Sequence, residues 1–172
     1  MPKSLVKDAL GKDVEELEKS PQPAQTQAPQ PAKMTADDEE IAKIAEQLDV
    51  SIKIIGCGGG GSNTINRCVE ASISGAQLCA INTDAKHLLA IHAPRKILIG
   101  KNITRGLGAG AIPQVGEAAA KENEREIRDF LNGANIVFVT AGMGGGTGTG
   151  SAHYAARLAK ALKALTIGGV TL

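Results

Sequence analysis

The chain reads as an α/β fold: a parallel sheet with helices on both faces, preceded by an N-terminal tail. Three observations lead there. Short β-branched runs alternate with segments of helical period, as crossover-connected parallel strands require. The runs are apolar at successive positions, so both faces of the sheet are expected to be buried. Polar, glycine-rich stretches stand at the carboxyl ends of the first, third and fourth strands, the edge where such sheets bind ligands.

At 172 residues the chain makes one domain, or one domain plus a tail. Hydrophobic residues make up 42% and aromatics only 2%, so the core must be built from Ile, Leu, Val and Ala. A net charge of +1 gives no electrostatic footprint for nucleic acid. No apolar run is long enough to span a membrane and the start lacks a leader pattern, which makes cytoplasmic residence the expectation. Cys57, Cys68 and Cys79 match no metal-ligand spacing and read as small buried thiols. His87, His92 and His153 cluster with neither acids nor cysteines and read as structural or surface residues.

Residues 3–19 place Leu5, Val6, Leu10, Val14 and Leu17 near helical spacing, weakened by Gly11. Residues 21–33 hold four of the seven prolines and read as a Pro/Gln-rich, disordered linker, so that 1–33 forms a tail. A short helix is expected over 34–49, with Thr35 as N-cap, acids from Asp37 to Glu40, and a stripe of Ile41, Ile44, Ala45 and Leu48.

The folded part, 50–172, opens with a strand at Ile52–Ile55, followed by a glycine loop over 56–63 and a helix carrying Ile65, Cys68 and Val69. A second strand at Leu78–Ile81 ends in Asn82-Thr83-Asp84-Ala85. A short helix through Leu88 and Leu89 leads to a third strand around Ile97–Ile99 and then to the loop Arg105–Gly110. The pattern predicts one long helix from about Pro113 to Leu131, polar at Glu122 and Asn123 on its apolar face, with Gly133 as its stop. The fourth strand, 136–140, runs into Gly142–Ser151 and an alanine-rich helix through Leu162. A fifth strand begins at Leu165.

Five glycines fall within Gly144–Gly150, and each costs roughly 0.5–1 kcal/mol of chain entropy relative to Ala. Such density points to a backbone that must come close to something. A polyanion at the N-terminus of the following helix is the natural candidate, because free N–H groups and the helix dipole converge there. Gly56-Cys57-Gly58-Gly59-Gly60-Gly61 also satisfies G-x-G-x-x-G between a strand and a helix, and Asp84 ends the second strand. Those two features alone suit a Rossmann-like, NAD(P)-binding oxidoreductase domain, but such a domain needs no second glycine loop after its fourth strand. No P-loop lysine motif occurs, so phosphate charge would fall to backbone N–H groups, Thr hydroxyls and a bound Mg²⁺.

Taken together, GCGGGGSN, NTDA, TRGLGAG and GMGGGTGTGS resemble the tubulin/FtsZ family on its FtsZ branch, over roughly residues 50–172. Asn63-Thr64 and the acidic helix before the first strand are closer to archaeal than to bacterial members. The resemblance implies binding of GTP or GDP with Mg²⁺, GTP hydrolysis, and head-to-tail self-association into a filament at the division site, with membrane-adaptor proteins as further partners. It implies that Gly59, Gly60, Gly61, Ser62 and Asn63, together with Gly146, Thr147, Gly148, Thr149 and Gly150, hold the phosphates. It also implies that Asn82, Thr83, Asp84 and Ala85 line the phosphate and metal region, and that Gly108, Ala109 and Gly110 approach the γ-phosphate.

Two local departures stand out. Ser151-Ala152-His153-Tyr154 replaces the usual Ser-Ala-Pro, and Lys163 replaces a common helix-ending glycine, which leaves the helix exit less sharply defined. The resemblance further implies guanine-gripping residues and an acidic catalytic loop beyond Leu172. On that reading no residue here is catalytic, and hydrolysis is shared across a subunit interface. Alone, the 172 residues are then expected to be inactive and, with sheet residues uncovered, prone to aggregate. An assembly module that does not hydrolyse nucleotide is the further alternative.

Overall fold

The computed structural model describes residues 36–47 and 50–172. The expected helix over 3–19, the linker over 21–33 and the Thr35 cap lie outside the described residues. The chain divides into two units at Glu46, and each is taken by itself. The first contributes helix α1 (Ala36–Gln47), with Asp37, Asp38 and Glu39 in its first turn; Ile41 and Ile44 are exposed.

The second unit runs β1 (Ile52–Cys57), α2 (Gly58–Glu70), β2 (Ala76–Asn82), α3 (Ala85–Ala90), β3 (Arg95–Leu98), α4 (Lys101–Thr104), α5 (Pro113–Glu122), α6 (Glu124–Leu131), β4 (Ile136–Gly142), α7 (Thr147–Ala161) and β5 (Leu165–Thr171). The five strands form one sheet in the order β3-β2-β1-β4-β5, and every pairing is parallel.

Two core layers follow from the period-2 alternation of the strands. Ile55, Cys79, Ile81, Ile97, Val137 and Val139 pack against α5, α6 and α7. Ile54, Leu78, Ala80 and Leu98 pack on the other face against Ile65 of α2 and Leu88 of α3. Helices on both faces are therefore what the structure shows. Toward β5 the second face is open: Phe138, Leu165 and Ile167 are exposed, and they share one side of the sheet by register.

The long helix expected over 113–131 is two helices. Asn123 leaves the helical region (φ −106°, ψ 27°), and its buried side chain serves a neighbour instead of the helix. Its Oδ1 accepts the Gly100 N–H at 2.8 Å while its Nδ2 donates to Glu126 Oε1 at 2.8 Å. A donor left over at the end of β3 thus breaks the helix.

The exit of α7 is sharp, contrary to expectation. Lys163 takes the left-handed conformation itself, at φ 65°. Its N–H reaches Lys160 O at 3.0 Å and the Ala164 N–H reaches Ala159 O at 3.1 Å, the paired bonds of a Schellman cap. Lysine does here, under strain, what glycine does freely.

One buried cation escaped the sequence reading. Lys53, 7% exposed near the start of the apolar strand β1, donates to Phe130 O at 2.8 Å and Asn132 O at 2.7 Å. It thereby satisfies carbonyls at the C-terminal end of α6, where a cation also meets the helix dipole favourably. Burial is the main cause that lowers its pKa, with repulsion from Arg95 second.

Candidate nucleotide-phosphate cleft

Strand order reverses between β1 and β4. The chain leaves β1 toward β2 on one side and returns to β4 on the other, so the connections at the carboxyl ends of these strands diverge, the place where open parallel sheets take ligands. Both connections there lead straight into long helices. Between β1 and α2 no loop residue intervenes at all, and between β4 and α7 only Met143–Gly146 do.

This corrects the reading of two extended glycine loops. Gly58–Gly61 form the first turn of α2, and Thr147–Gly150 form the first turn of α7. Glycine disfavours helix by about 1 kcal/mol per residue, which is why the sequence suggests loops. Packing overrides that preference. A Cβ on Gly58, whose φ is 69°, would stand 2.5 Å from Gly148 N, and one on Gly148 would stand 2.7 Å from Gly142 O. A Cβ on Gly61 would meet Thr140 O at 2.4 Å, and one on Gly150 would meet Pro113 O at 2.0 Å. These glycines let backbone touch backbone.

A second set has a different environment. Added Cβ atoms at Gly59, Gly108, Gly110, Gly144 and Gly145 would meet no protein atom within 4 Å. Gly60 is intermediate, also exposed but 3.0 Å from Gly142 N. The glycines thus divide into those that bring the two helix starts together and those that leave room beside them.

Neither helix start carries a side-chain cap: Cys57 precedes α2 and Gly146 precedes α7 without one. The first-turn N–H groups of two helices, of 13 and 15 residues, therefore lack side-chain caps at adjacent points. Two hydroxyls are buried without a hydrogen-bond partner, Ser62 Oγ in α2 and Thr149 Oγ1 in α7. Buried polar atoms without partners are rare and mark a place for a ligand or water.

The other two segments are tied to this centre. Thr83 Oγ1 and Thr147 Oγ1 lie 2.6 Å apart, fully buried on the Thr83 side. Gly108 N donates to Thr83 O at 3.3 Å, Ala85 N donates to Gly106 O at 3.0 Å, and Asp84 bridges Leu107. Ala109 packs against the loop, since a Cβ on Gly146 would meet Ala109 Cβ at 2.9 Å.

Within this arrangement the sequence-predicted residues take distinct places. Gly59 and Gly60 are exposed at the start of α2, Ser62 is buried, and Asn63 is exposed. Gly61, Gly148 and Gly150 serve the packing of backbones. Asn82 is buried, accepts the Asp84 N–H at 3.3 Å through Oδ1, and places Nδ2 3.2 Å from His87 Nδ1. Asp84 is half-buried, and its Oδ1 caps α3 by accepting the His87 N–H at 3.0 Å. Gly108 is half-buried and Gly110 exposed at the rim.

Thr83 and Thr104, within the NTDA and TRGLGAG motifs, carry the ties: Thr104 Oγ1 donates to Gly100 O at 3.0 Å and lies 3.4 Å from Thr83 O. The altered turn after Gly150 is also accommodated. Ser151 Oγ returns to Thr147 O at 2.6 Å, while Tyr154 reaches α6 and donates to Glu124 Oε2. His153 and Arg157 both contact Glu117 Oε1 of α5, at 3.1 and 3.4 Å.

Comparison with known proteins agrees with this geometry. Residues 51–172 match the model of the tubulin/FtsZ family, GTPase domain. The chain is 51% identical over 168 residues to the cell division protein FtsZ 1 of Pyrococcus furiosus, covering 98% of this chain and 43% of that protein. It is 46% identical over 171 residues to that of Halobacterium salinarum, with the same coverage of each. It thus spans less than half the length of these relatives. Among solved structures, an empty FtsZ dimer from M. jannaschii matches with a TM-score of 0.75 at 48% identity, over 81% of this chain and 40% of that one. A GTPγS-bound protofilament of CetZ2 from Haloferax volcanii matches with a TM-score of 0.63 at 25% identity, over 72% and 40%. These matches displace the oxidoreductase alternative, whose ribose-binding acid would have been Asp84. The chain belongs to the tubulin/FtsZ family, with residues 51–172 matching that family's GTPase domain.

Proposed function

We propose that this chain binds the phosphates of GTP or GDP between the starts of α2 and α7, as the nucleotide-holding side of a self-assembling cell-division GTPase. The observation that carries the reading is the pair of helix starts without side-chain caps at the strand-order reversal, with Ser62 Oγ and Thr149 Oγ1 buried and unpartnered among them. Main-chain N–H groups and the two helix dipoles supply the positive potential that a lysine supplies elsewhere. Gly59, Gly60, Gly144 and Gly145 leave room for the phosphates, and Gly108–Gly110 stand at the γ-phosphate end.

No group of three or more His, Cys, Asp or Glu gathers among the described residues. A Mg²⁺ ion would therefore be held chiefly by phosphate oxygens and waters, with Asp84 as the acidic side chain on its side, and would neutralise phosphate charge there. Asp84 is the one carboxylate within the four segments 57–63, 82–85, 104–111 and 142–149, and it already caps α3. The group that orients the attacking water is accordingly assigned to a neighbouring subunit, which makes hydrolysis depend on head-to-tail assembly. By itself the chain holds nucleotide without turning it over.

The described helices include none long and apolar enough to cross a membrane. We place the protein in the cytoplasm at the division site, with membrane-adaptor proteins as further partners.

Titration with a fluorescent GTP analogue, with GTP, ATP and NAD as competitors, tests the reading. GTP should displace the probe and NAD should not. Displacement by NAD with no competition from GTP would overturn it.

A further inference from the structure

The sheet ends on one side at β3, a strand of four residues with Pro94 before it. The Ile99 N–H donates to Asn82 O at 3.0 Å, which fixes how the alternate peptide groups point. Residues 95, 97 and 99 address β2, so Lys96 and Leu98 turn their N–H and C=O outward. Among the described residues nothing pairs with those outward groups.

Two cavities lie along this same strand, one near each of its ends. The first, of about 380 Å³, is lined by Leu88, Leu89, Lys96, Leu98 and Lys101. The second, of about 360 Å³, is lined by Gln77, Pro94, Arg95 and Phe130. The second cavity takes Leu78 from the layer beneath α2 and α3 and Phe130 from the opposite layer, and Glu126 of α6 borders the first, so neither is confined to one face. A strand laid beside β3 would pass both cavities in turn.

Charge selects what such a strand can be. Arg95 is stacked 5.8 Å from the Phe130 ring centroid, and neither it nor Lys101 has a carboxylate partner among the described residues. Lys96 Nζ is held 3.1 Å from Leu89 O at the end of α3. Three cations along one short edge, against Glu126 at the first cavity's border, repel a second copy of the same edge. They attract an acidic segment. Leu89, 81% exposed, offers an apolar anchor beside them.

We propose that β3 is a docking edge to which another protein adds an extended segment of alternating acidic and apolar residues. Backbone bonds to Lys96 and Leu98 fix the register, and the two cavities receive side chains of the added segment. The site is independent of the nucleotide reading.

A synthetic peptide of alternating Glu and Val serves as the probe, with a Lys/Val peptide of the same length as control. Fluorescence anisotropy should show binding of the acidic peptide alone. Amide hydrogen exchange should slow at Lys96 and Leu98. Lys96→Pro removes one outward N–H without touching the β2 ladder, a substitution edge strands tolerate, and should weaken binding by about tenfold or more. Lys96→Glu, which keeps the N–H, should weaken it comparably. Absence of binding, equal binding of the two peptides, or binding indifferent to Lys96→Pro would each overturn the proposal. Should Lys96→Pro fail to fold, exchange protection in the unmodified chain decides: protection away from β3 sinks it.

Discussion

The hydroxyls of Thr83 and Thr147 lie 2.6 Å apart, joining the exit of β2 to the first turn of α7 beneath the cleft. Thr147→Val keeps the shape but strands the Thr83 hydroxyl in a buried place, which costs about 1–3 kcal/mol. Denaturant unfolding should show that loss. Adding Thr83→Val should recover part of it, since both partners are then apolar, and a double-mutant cycle reads the coupling. Two losses that simply add would show that the pair contributes nothing jointly.

The two classes of glycine separate folding from binding. Gly148→Ala places a methyl 2.7 Å from Gly142 O and 3.1 Å from Cys57 O, backbone atoms that cannot move aside. It should lower the unfolding midpoint steeply and take nucleotide binding with it. Gly59→Ala meets no protein atom within 4 Å and gains about 1 kcal/mol of helix propensity. Thermal unfolding without nucleotide should be unchanged or raised, while affinity for GTP falls. Equal effects of the two substitutions on stability would refute the division.

Lys163→Gly should stabilise the chain by about 1 kcal/mol, because the left-handed backbone at φ 65° carries a penalty for any L side chain and none for glycine. A chemical-denaturation midpoint that moves downward would contradict the cap described above.

Glu124 and Tyr154 give a pH signature. The Tyr154 hydrogen bond, and then that of Arg128, hold the Glu124 carboxyl below its ordinary pKa. A carboxylate depressed in the folded state stabilises it above the ordinary glutamate range, and that contribution disappears as pH falls through the lowered folded value. In Tyr154→Phe the Glu124 pKa should move up toward the ordinary value, read by carboxyl NMR titration. The same substitution should remove part of the acid-side decline in stability. An unmoved Glu124 titration would show that the hydroxyl does not set it.

Burial pushes the Cys57 and Cys79 thiols up to about 12, while Cys68 is half-buried. Brief alkylation of the native chain at pH 8 should therefore label Cys68 first. Mass spectrometry of the peptides would show otherwise if Cys57 led.

Much of this was legible in the residues. The β-branched runs located all five strands, and the glycine motifs marked where the starts of α2 and α7 meet, because backbone approach demands glycine whatever else it needs. What stayed hidden depends on distant partners. Asn123 breaks a helix for the sake of Gly100, 23 positions away. Lys53 looks like a surface lysine until the end of α6 folds over it. The first turns of α2 and α7 looked like loops because local propensity cannot see that two backbones will meet. The glycine count suggested a ligand; about half of those positions turn out to answer to another stretch of the same chain.

The meeting of Gly58 with Gly148 has one more consequence. A floor assembled from peptide groups and alcohols has no proton to gain or lose between mildly acid and mildly alkaline conditions. Such a floor is blind to the cell's acidity. Any response to pH in that range must enter from outside that floor.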